Sequence, residues 1–335
     1  MIREYLKLAR SFNAVLTGIS PVMGAIAMEQ YDIFLLFLLF LIGFLGHTYG
    51  FVLNDIIDYN LDKSSKEIKD RPLLSGTISL KNAWIFAIGS MIFSFIIASY
   101  IAMITENYFP LLLLIISAVL ITVYNLISKK FPGMDIFVAF AVFFLILYGA
   151  STVINGINFS KLTWIVCILG STQVLFMQFI AGGLKDIEND YKHDAKTLAI
   201  RLGVRIENKI LKISNSFKVL AYGLQIINVA IVFLPFIIIW NLNNLTIINY
   251  LQWLIIILIL VLMLLLSYKL LSMKKFQRSK ARKIIGSHYM INFMIVPIML
   301  MKLNPWTGVL IFFPFLGFVL NNLILHGTIL QPKTM

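Results

Sequence analysis

The chain of 335 residues is 60% hydrophobic and only 13% charged, and its mean hydropathy is +0.90. A soluble globular protein needs far more polar surface than this composition supplies, so a membrane protein with several helical spans is predicted instead. The formal net charge of +13 is compatible with nucleic-acid binding or with membrane topology, and its distribution along the chain decides between them.

Runs of about 20 apolar residues predict the transmembrane helices. The predicted spans are residues 12–30, 33–53, 82–105, 108–128, 134–155, 161–184, 214–240, 247–272 and 288–303. A further apolar run at 307–326 follows a polar stretch that contains Pro305, and a tenth helix is predicted there. The expected fold class is therefore all-α, a polytopic membrane helix bundle of nine spans plus this tenth helix.

The basic residues are distributed very unevenly between the predicted loops. Of the 28 Lys and Arg residues, 25 fall in the N-terminal segment and in alternate loops. The positive-inside rule then places the N-terminus and these loops in the cytoplasm, so the basic excess reflects topology and no nucleic-acid partner is expected. We expect a multi-pass protein of the plasma membrane, with the basic cluster at 274–283 interpreted as an anchor to anionic lipid.

Two acidic motifs lie at the predicted cytoplasmic ends of membrane helices. In the first, "NDIIDYNLD", Asn54, Asp58 and Asp62 recur every four residues, which aligns them on one face of a helix. In the second, "DIENDYKHD", the positions with this spacing are Asp186, Asp190 and Asp194, and a helix would align these three as well.

Like charges at this spacing repel each other, and the repulsion grows at a membrane boundary, where the effective dielectric constant falls. A divalent cation would offset it. Carboxylate and amide oxygens favour hard cations such as Mg²⁺, which often binds through one or two carboxylates and substrate phosphates. Two such ions could hold a diphosphate, and the lipid-facing bulk of the protein suggests that this diphosphate carries a long hydrocarbon.

The motifs "NDIIDYNLD", "DRPLLSG" at 70–76 and "DIENDYKHDAKTLAIRLG" resemble the UbiA superfamily of intramembrane prenyltransferases. The resemblance extends in order and spacing over about residues 5–303. It implies a UbiA-like bundle at 1–303, with cytoplasmic cap loops at about 54–81 and 184–213, and a C-terminal extension at 304–335. It also implies two Mg²⁺ sites, in which Mn²⁺ could substitute.

The resemblance further implies roles for individual residues. Implied metal ligands are Asn54, Asp55, Asp58, Asp62, Asp186, Asp190 and Asp194. Catalysis is expected to depend on Asp58, Asp186 and Asp190. Contacts to the substrate are expected from Asn54, Arg71, Tyr124, Lys129, Arg10, Asn13 and Lys185. Asp55 has an alternative interpretation, as a polar residue that merely ends the helix at the water interface.

The expected reaction is Mg²⁺-dependent transfer of a polyprenyl group from its diphosphate, with geranylgeranyl diphosphate as the expected donor. Arg71 follows Asp62 by nine positions, and this spacing resembles that of family members with a lipophilic or aromatic, quinone-precursor-like acceptor. An archaeal ether-lipid synthase that alkylates the hydroxyl of geranylgeranylglyceryl phosphate is the alternative. A third possibility, from another class, is an ion-coupled membrane transporter, since intramembrane acids often mark ion pathways.

Overall fold

The computed structural model describes residues 1–63, 68–128, 130–154, 156–192, 194–240 and 246–330. Within these ranges, eight helices are long and apolar enough to cross a membrane, and two shorter apolar helices, Ser11–Ile26 and Ile136–Ser151, accompany them. The predicted all-α membrane bundle is confirmed. The count of nine or ten spans stays a prediction.

In the N-terminal half of the bundle, the regular elements among the described residues are all helices. Its helices are α1 (Ile2–Leu8), α2 (Ser11–Ile26), α3 (Ile33–Ile57), α4 (Tyr59–Asp62), α5 (Leu80–Ile104), α6 (Phe109–Ile127) and α7 (Ile136–Ser151). Aspartate and serine side chains cap the N-termini of α3 and α5. Asp32 accepts a hydrogen bond from the backbone N–H of Leu35, and Ser79 accepts one from that of Asn82.

The C-terminal half adds longer connections and one small hairpin. α8 (Lys161–Leu175) continues through a π-helical segment (Phe176–Gly182) into α9 (Gly183–Lys185), followed by α10 (Ile187–Lys192) and α11 (Leu198–Arg201). Then come β1 (Arg205–Glu207), β2 (Ile210–Lys212), α12 (Asn215–Ile238), α13 (Ile247–Leu271), α14 (Arg278–Asn292) and α15 (Ile295–Leu300). The last elements are a 3₁₀ segment (Pro305–Ile311), α16 (Phe312–Phe315), a π-helical segment (Leu316–Leu320) and α17 (Asn321–His326).

Helix α2 lies at the centre of the bundle and packs against α3 and α7. Two glycines allow α2 and α7 to approach closely: a Cβ at Gly149 would overlap the Pro21 carbonyl oxygen, and one at Gly24 would overlap that of Ile146. Small residues at such crossings are the usual means of helix association in membranes, where burial of apolar surface between helices gains little over contact with lipid. This crossing fixes α2, which carries two of the predicted substrate contacts at its N-terminal end.

The hairpin β1–β2 holds the start of α14 in place. Its strands pair antiparallel, with Ile206 opposite Leu211. The Leu211 N–H donates to the Lys274 carbonyl at 2.8 Å, and the Phe276 N–H donates to the Lys209 carbonyl at 2.8 Å. The loop after α11 and the segment before α14 are therefore joined through their backbones, although more than 60 residues separate them in the sequence.

The predicted tenth helix is present as a helical segment from Pro305 to His326, interrupted by 3₁₀ and π-helical turns. It packs against α2 rather than standing apart from the bundle: Ser11 donates to Asn321 Oδ1 at 3.0 Å, and the Phe12 and Phe318 rings meet edge-to-face at 5.4 Å. The expected boundary between a bundle at 1–303 and a C-terminal extension at 304–335 stays a prediction.

Candidate active site

The two acidic motifs line one open cavity at the end of the bundle where α3 and α9 terminate. The lining residues from the two motifs are Asn54, Asp58, Asp62, Asp186, Asn189 and Asp190. The structure therefore brings the two rows together on the walls of a single site, as the sequence predicts.

Asp58 and Asp186 occupy equivalent places in the two halves. Each stands between a membrane helix and a short helix: Asp58 between α3 and α4, and Asp186 between α9 and α10. Their backbone angles are also similar, with φ −80° and ψ 1° for Asp58 and φ −101° and ψ 4° for Asp186. This sparsely populated conformation is frequent at functional sites, and the match means that both halves present an aspartate to the cavity in the same way.

Arg71, from the loop between α4 and α5, also lines the cavity and binds the first motif. Its Nη1 donates to Asp62 Oδ2 at 2.7 Å and lies 3.4 Å from Asp55 Oδ1. Burial alone would lower the pKa of Arg71, but attraction to the carboxylates of Asp55 and Asp62 outweighs it and raises that pKa above its ordinary value. The guanidinium is therefore a permanent positive charge at the cavity wall.

Asp55 and Arg10 form a buried ion pair behind this wall. Arg10 Nη2 donates to Asp55 Oδ1 at 2.6 Å, and the guanidinium also lies over the Phe51 ring, 4.8 Å from its centroid. Arg10 lines the cavity, but Asp55 is not among the described lining residues and is only 6% exposed. The structure thus places Asp55 against Arg10 and Arg71, and its expected role as a metal ligand stays a prediction without support from this arrangement.

The second motif is surrounded by basic side chains in the same way. Arg278 Nη2 donates to Asp186 Oδ1 at 2.7 Å, and Lys185 Nζ lies 3.3 Å from Asp186 Oδ2. All three residues line the cavity. Interpretation of the basic cluster at 274–283 as a lipid anchor is therefore wrong for Arg278, because the hairpin contacts turn this residue inward.

The expectation that one helix aligns Asp186, Asp190 and Asp194 is also wrong. Helix α10 ends at Lys192, and Asp194 follows in a left-handed conformation with φ 50°. Asp190 is buried on the cavity wall, but Asp194 is exposed and is not among the described lining residues. Its expected role as a metal ligand stays a prediction without support from this arrangement.

The other residues that are expected to contact the substrate do not all line the polar cavity. Tyr124 lines the cavity and donates to Asp135 Oδ1 at 3.3 Å. Asn13 lies deeper, where it lines the adjoining chamber. Lys129 lies outside the described residues.

A second, largely apolar chamber continues from the polar cavity into the bundle. The two have eight lining residues in common, among them Arg10, Phe51, Gln178 and Lys185. Deeper walls come from α3, α5, α6, α7 and α14 and include Phe95, Leu114, Val142, Leu145 and Phe293. A molecule with a polyanionic head and a long hydrocarbon tail fits this sequence of environments.

The oxygen ligands that line the polar cavity suit a magnesium ion that is bound together with a substrate. Among the residues that the structure describes, no three His, Cys, Asp or Glu side chains come close enough to hold a metal ion by themselves. Each row offers carboxylate and amide oxygens, such as those of Asn54, Asp58 and Asn189. Magnesium is commonly bound by one or two carboxylates, with water and substrate phosphate oxygens completing its octahedron. These residues therefore fit an ion that is bound together with a diphosphate.

Residues 14–293 match the model of the UbiA prenyltransferase family. The chain belongs to this family. Membership makes it a prenyltransferase and a multi-pass membrane protein, and it excludes the transporter alternative.

Eight curated relatives of this UbiA prenyltransferase share one name. The digeranylgeranylglyceryl phosphate synthase of Saccharolobus solfataricus is 28% identical over 220 residues, which cover 63% of this chain and 73% of the relative. The enzyme of the same name from Methanococcus vannielii is 29% identical over 228 residues, which cover 67% of this chain and 76% of the relative.

Solved structures of UbiA homologues have the same fold. The apo homologue from Aeropyrum pernix K1 superposes with a TM-score of 0.66 at 14% identity, covering 88% of this chain and 98% of the homologue. A homologue from Archaeoglobus fulgidus, bound to GPP and Mg²⁺, gives 0.60 at 18% identity and covers 88% of this chain and 99% of the homologue.

Several residues of this UbiA site are absent from the sequence predictions. Gln178 and Gly182 reach the cavity because the helix widens to π-helical geometry over Phe176–Gly182, a feature that is frequent at functional sites. Asp135 and Arg278 arrive from distant segments. The glycine pair at 182–183 is a weak sequence signal for the contribution of Gly182. Nothing local in the sequence marks Asp135 or Arg278.

Proposed function

We propose that this prenyltransferase moves a geranylgeranyl group from its diphosphate to the hydroxyl of geranylgeranylglyceryl phosphate, forming the second ether bond of a membrane lipid. The observation that carries the proposal is the shared name of eight curated relatives, all digeranylgeranylglyceryl phosphate synthases, at 25–29% identity. The comparisons favour this acceptor over the aromatic one that the spacing from Asp62 to Arg71 favours.

The polar cavity would hold the donor's diphosphate. Bound Mg²⁺ supplies positive charge to the diphosphate oxygens and neutralises the charge that develops as the carbon–oxygen bond breaks. The first ion would be held by Asn54, Asp58 and Asp62, and the second by Asp186 and Asp190. In this proposal Mn²⁺ can replace Mg²⁺, and Asp194 has no direct contact with either ion.

The basic side chains of the cavity would take part by changing partners. Arg71 now pairs with Asp62, and Arg278 and Lys185 pair with Asp186. When the donor binds with its ions, these carboxylates can turn to the metal, while the guanidinium groups turn to the diphosphate, whose oxygens accept two parallel hydrogen bonds from Arg. Asp55 would remain with Arg10 and act as a positioning residue.

The apolar chamber would hold the donor's hydrocarbon and keep water away from the allylic cation. Water would otherwise capture this cation and hydrolyse the donor. Tyr124, at the wall of the polar cavity, would contact the diphosphate, and so would Lys129. The proposed location is the plasma membrane, with the N-terminus and the polar cavity on the cytoplasmic side, as the distribution of Lys and Arg indicates.

Incubation of the purified full chain with labelled geranylgeranyl diphosphate, Mg²⁺ and a panel of acceptors tests the proposal. Geranylgeranylglyceryl phosphate should accept label and release diphosphate. A chain that labels only aromatic quinone precursors would overturn the acceptor assignment.

Substitutions in the same assay test the site. Asp58→Asn and Asp186→Asn should abolish transfer. Glu188→Gln is the matched control, because Glu188 lies on α10 between Asp186 and Asp190 but pairs with Lys192 at 3.1 Å and is not among the described lining residues of the cavity. It should retain activity, since such surface pairs contribute little. Undiminished transfer by both aspartate variants would refute the assigned site.

A further inference from the structure

His47 is an ionisable residue buried in the membrane part of the bundle, on the wall of the apolar chamber. It is 8% exposed and belongs to α3. Ionisable residues at this depth are costly and are usually functional. The mechanism derived above, which concerns the donor's diphosphate, gives His47 no role.

The ring is held rigidly and by one nitrogen only. Its Nδ1 lies 2.7 Å from Thr17 Oγ1 on α2, and its face stacks on Phe51 with centroids 4.1 Å apart. Within the described part of the chain, Nε2 has no hydrogen-bond partner. The Thr17 contact permits the tautomer in which Nδ1 carries the hydrogen and Nε2 is an acceptor.

Other hydroxyl groups of the chamber are satisfied within the protein. Ser94 donates to the Ile42 carbonyl, Ser117 donates to the Ala141 carbonyl, and Tyr49 shares a hydrogen bond with Thr122. By contrast, Asn13 Oδ1 lacks a partner among the described residues, as His47 Nε2 does. Among the residues that line the chamber, these are the two buried acceptor atoms without a described partner, so both can receive a hydrogen-bond donor from a substrate bound there.

The position of His47 suits the second substrate. It precedes Asn54 by seven residues, so it lies on the same face of α3 and about 10 Å deeper along the helix axis. Asn54 lines the polar cavity and His47 the apolar chamber. The carbon that is transferred is bonded directly to the diphosphate, so it lies at the boundary of the two chambers, on the side toward His47.

We infer that His47 Nε2 accepts a hydrogen bond from the hydroxyl of the acceptor substrate and takes its proton as the ether bond forms. This inference rests on the proposed function. The bond between the allylic carbon and the diphosphate oxygen breaks, and its electron pair leaves with the diphosphate. A lone pair of the hydroxyl oxygen forms the new carbon–oxygen bond, and the proton moves from that oxygen to Nε2. The departing diphosphate then receives it.

The test compares two acceptors in His47→Gln. Glutamine keeps a polar side chain but cannot take a proton. With geranylgeranylglyceryl phosphate, kcat should fall at least about 100-fold, the lower end of the usual effect of a general base, while the KM for geranylgeranyl diphosphate should stay within about threefold. An analogue with a thiol in place of the reacting hydroxyl loses its proton far more readily than the alcohol, since a thiol such as that of cysteine has a pKa of about 8.5, so with it His47→Gln should approach the wild-type rate.

Controls separate this role from a structural one. His288→Gln replaces another buried histidine, 2% exposed and outside both chambers, and should slow the two acceptors equally or not at all. Thr17→Val, which frees the ring, should reproduce the acceptor-dependent loss in part. Equal loss with hydroxyl and thiol acceptors in His47→Gln, or transfer near the wild-type rate with both, would overturn the inference alone. A wild-type chain that alkylates no hydroxyl acceptor would overturn the proposed function as well.

Discussion

Arg10 and Asp55 form a buried ion pair, 2.6 Å between Nη2 and Oδ1, that joins the start of α2 to the end of α3 behind the polar cavity. Arg10 adopts a left-handed backbone conformation, φ 47° and ψ 50°, which costs about 1–2 kcal/mol for a non-glycine residue. Such strain persists where surrounding contacts stabilise it, and it is concentrated at functional sites. The contacts with Asp55 and Phe51 therefore fix Arg10 at the boundary between the polar and apolar chambers.

Asp55→Ala is expected to lower both stability and activity, because it leaves two buried guanidinium groups without their shared carboxylate. Removal of one partner from a buried pair typically costs about 3–5 kcal/mol. Thermal unfolding in detergent measures the loss, and added Mg²⁺ should not restore the rate. Glu4→Ala removes the partly exposed pair with Lys7 on α1 and should change stability by less than about 1 kcal/mol. Equal melting temperatures of Asp55→Ala and wild type would contradict this account.

Arg278→Ala is expected to weaken donor binding. Arg278 balances the charge of Asp186 and lies on the cavity wall, so its loss removes a charged donor from the diphosphate site. We expect the KM for the donor to rise by roughly tenfold or more, equivalent to about 1.4 kcal/mol. Lys280→Ala, an exposed basic residue of the same helix, should leave KM unchanged. If both variants behave alike, Arg278 acts at the membrane surface and not in the site.

Chelation of divalent ions is expected to abolish transfer, and Mg²⁺ should restore it. Asp190→Asn removes a buried carboxylate from the second row, so it should raise the Mg²⁺ concentration needed for half-maximal rate by roughly tenfold, again about 1.4 kcal/mol. Titration of the initial rate with Mg²⁺ measures the shift. An unchanged Mg²⁺ requirement in Asp190→Asn would place Asp190 outside the ion's coordination.

Local sequence patterns were sufficient for the long apolar helices and for the first acidic row. Hydropathy located these helices, and the four-residue spacing of Asn54, Asp58 and Asp62 agrees with their common place on one cavity wall, although the predicted single helix is interrupted at Asp58. The same spacing failed at Asp194, because α10 ends two residues earlier and the chain turns through a left-handed residue. Periodicity predicts which side chains would align in a helix, but it does not predict where a short helix ends.

Tertiary pairing explains what the sequence did not reveal. Arg278 reaches Asp186 across 92 residues because β1–β2 binds the backbone of the segment before α14. Nothing in "KKFQRSKARK" distinguishes this arginine from its basic neighbours. Asp55 shows the same limit. Its place in an acidic motif suggested a metal ligand, and only the three-dimensional positions of Arg10 and Arg71 show that its carboxylate lies beside two guanidinium groups.

Gly149→Ala is expected to destabilise the bundle, because the new methyl group would overlap the Pro21 backbone and force α2 and α7 apart. Overpacking typically costs about 1–3 kcal/mol, which thermal unfolding in detergent can measure. Gly223→Ala is the matched control on α12, where a Cβ meets nothing within 4 Å. It should not lower the melting temperature. Equal stability of the two variants would show that α2 and α7 can separate without loss.

Phe318→Ala is expected to show that the C-terminal segment stabilises the start of α2. Phe318 is fully buried, its ring meets Phe12 edge-to-face, and Phe12 follows Arg10 by two residues. Truncation of a buried Phe typically costs about 3–5 kcal/mol, so the melting temperature should fall, and transfer should fall with it as Arg10 loses its support.

Ile324→Ala is the control for Phe318→Ala on the same segment, since Ile324 is 70% exposed on the outer surface of the bundle. It should change stability by no more than about 0.5 kcal/mol. If Phe318→Ala also leaves the melting temperature and the rate unchanged, the contacts of residues 305–326 with α2 do not contribute to the site. If it lowers both, this segment is part of the structure that positions Arg10.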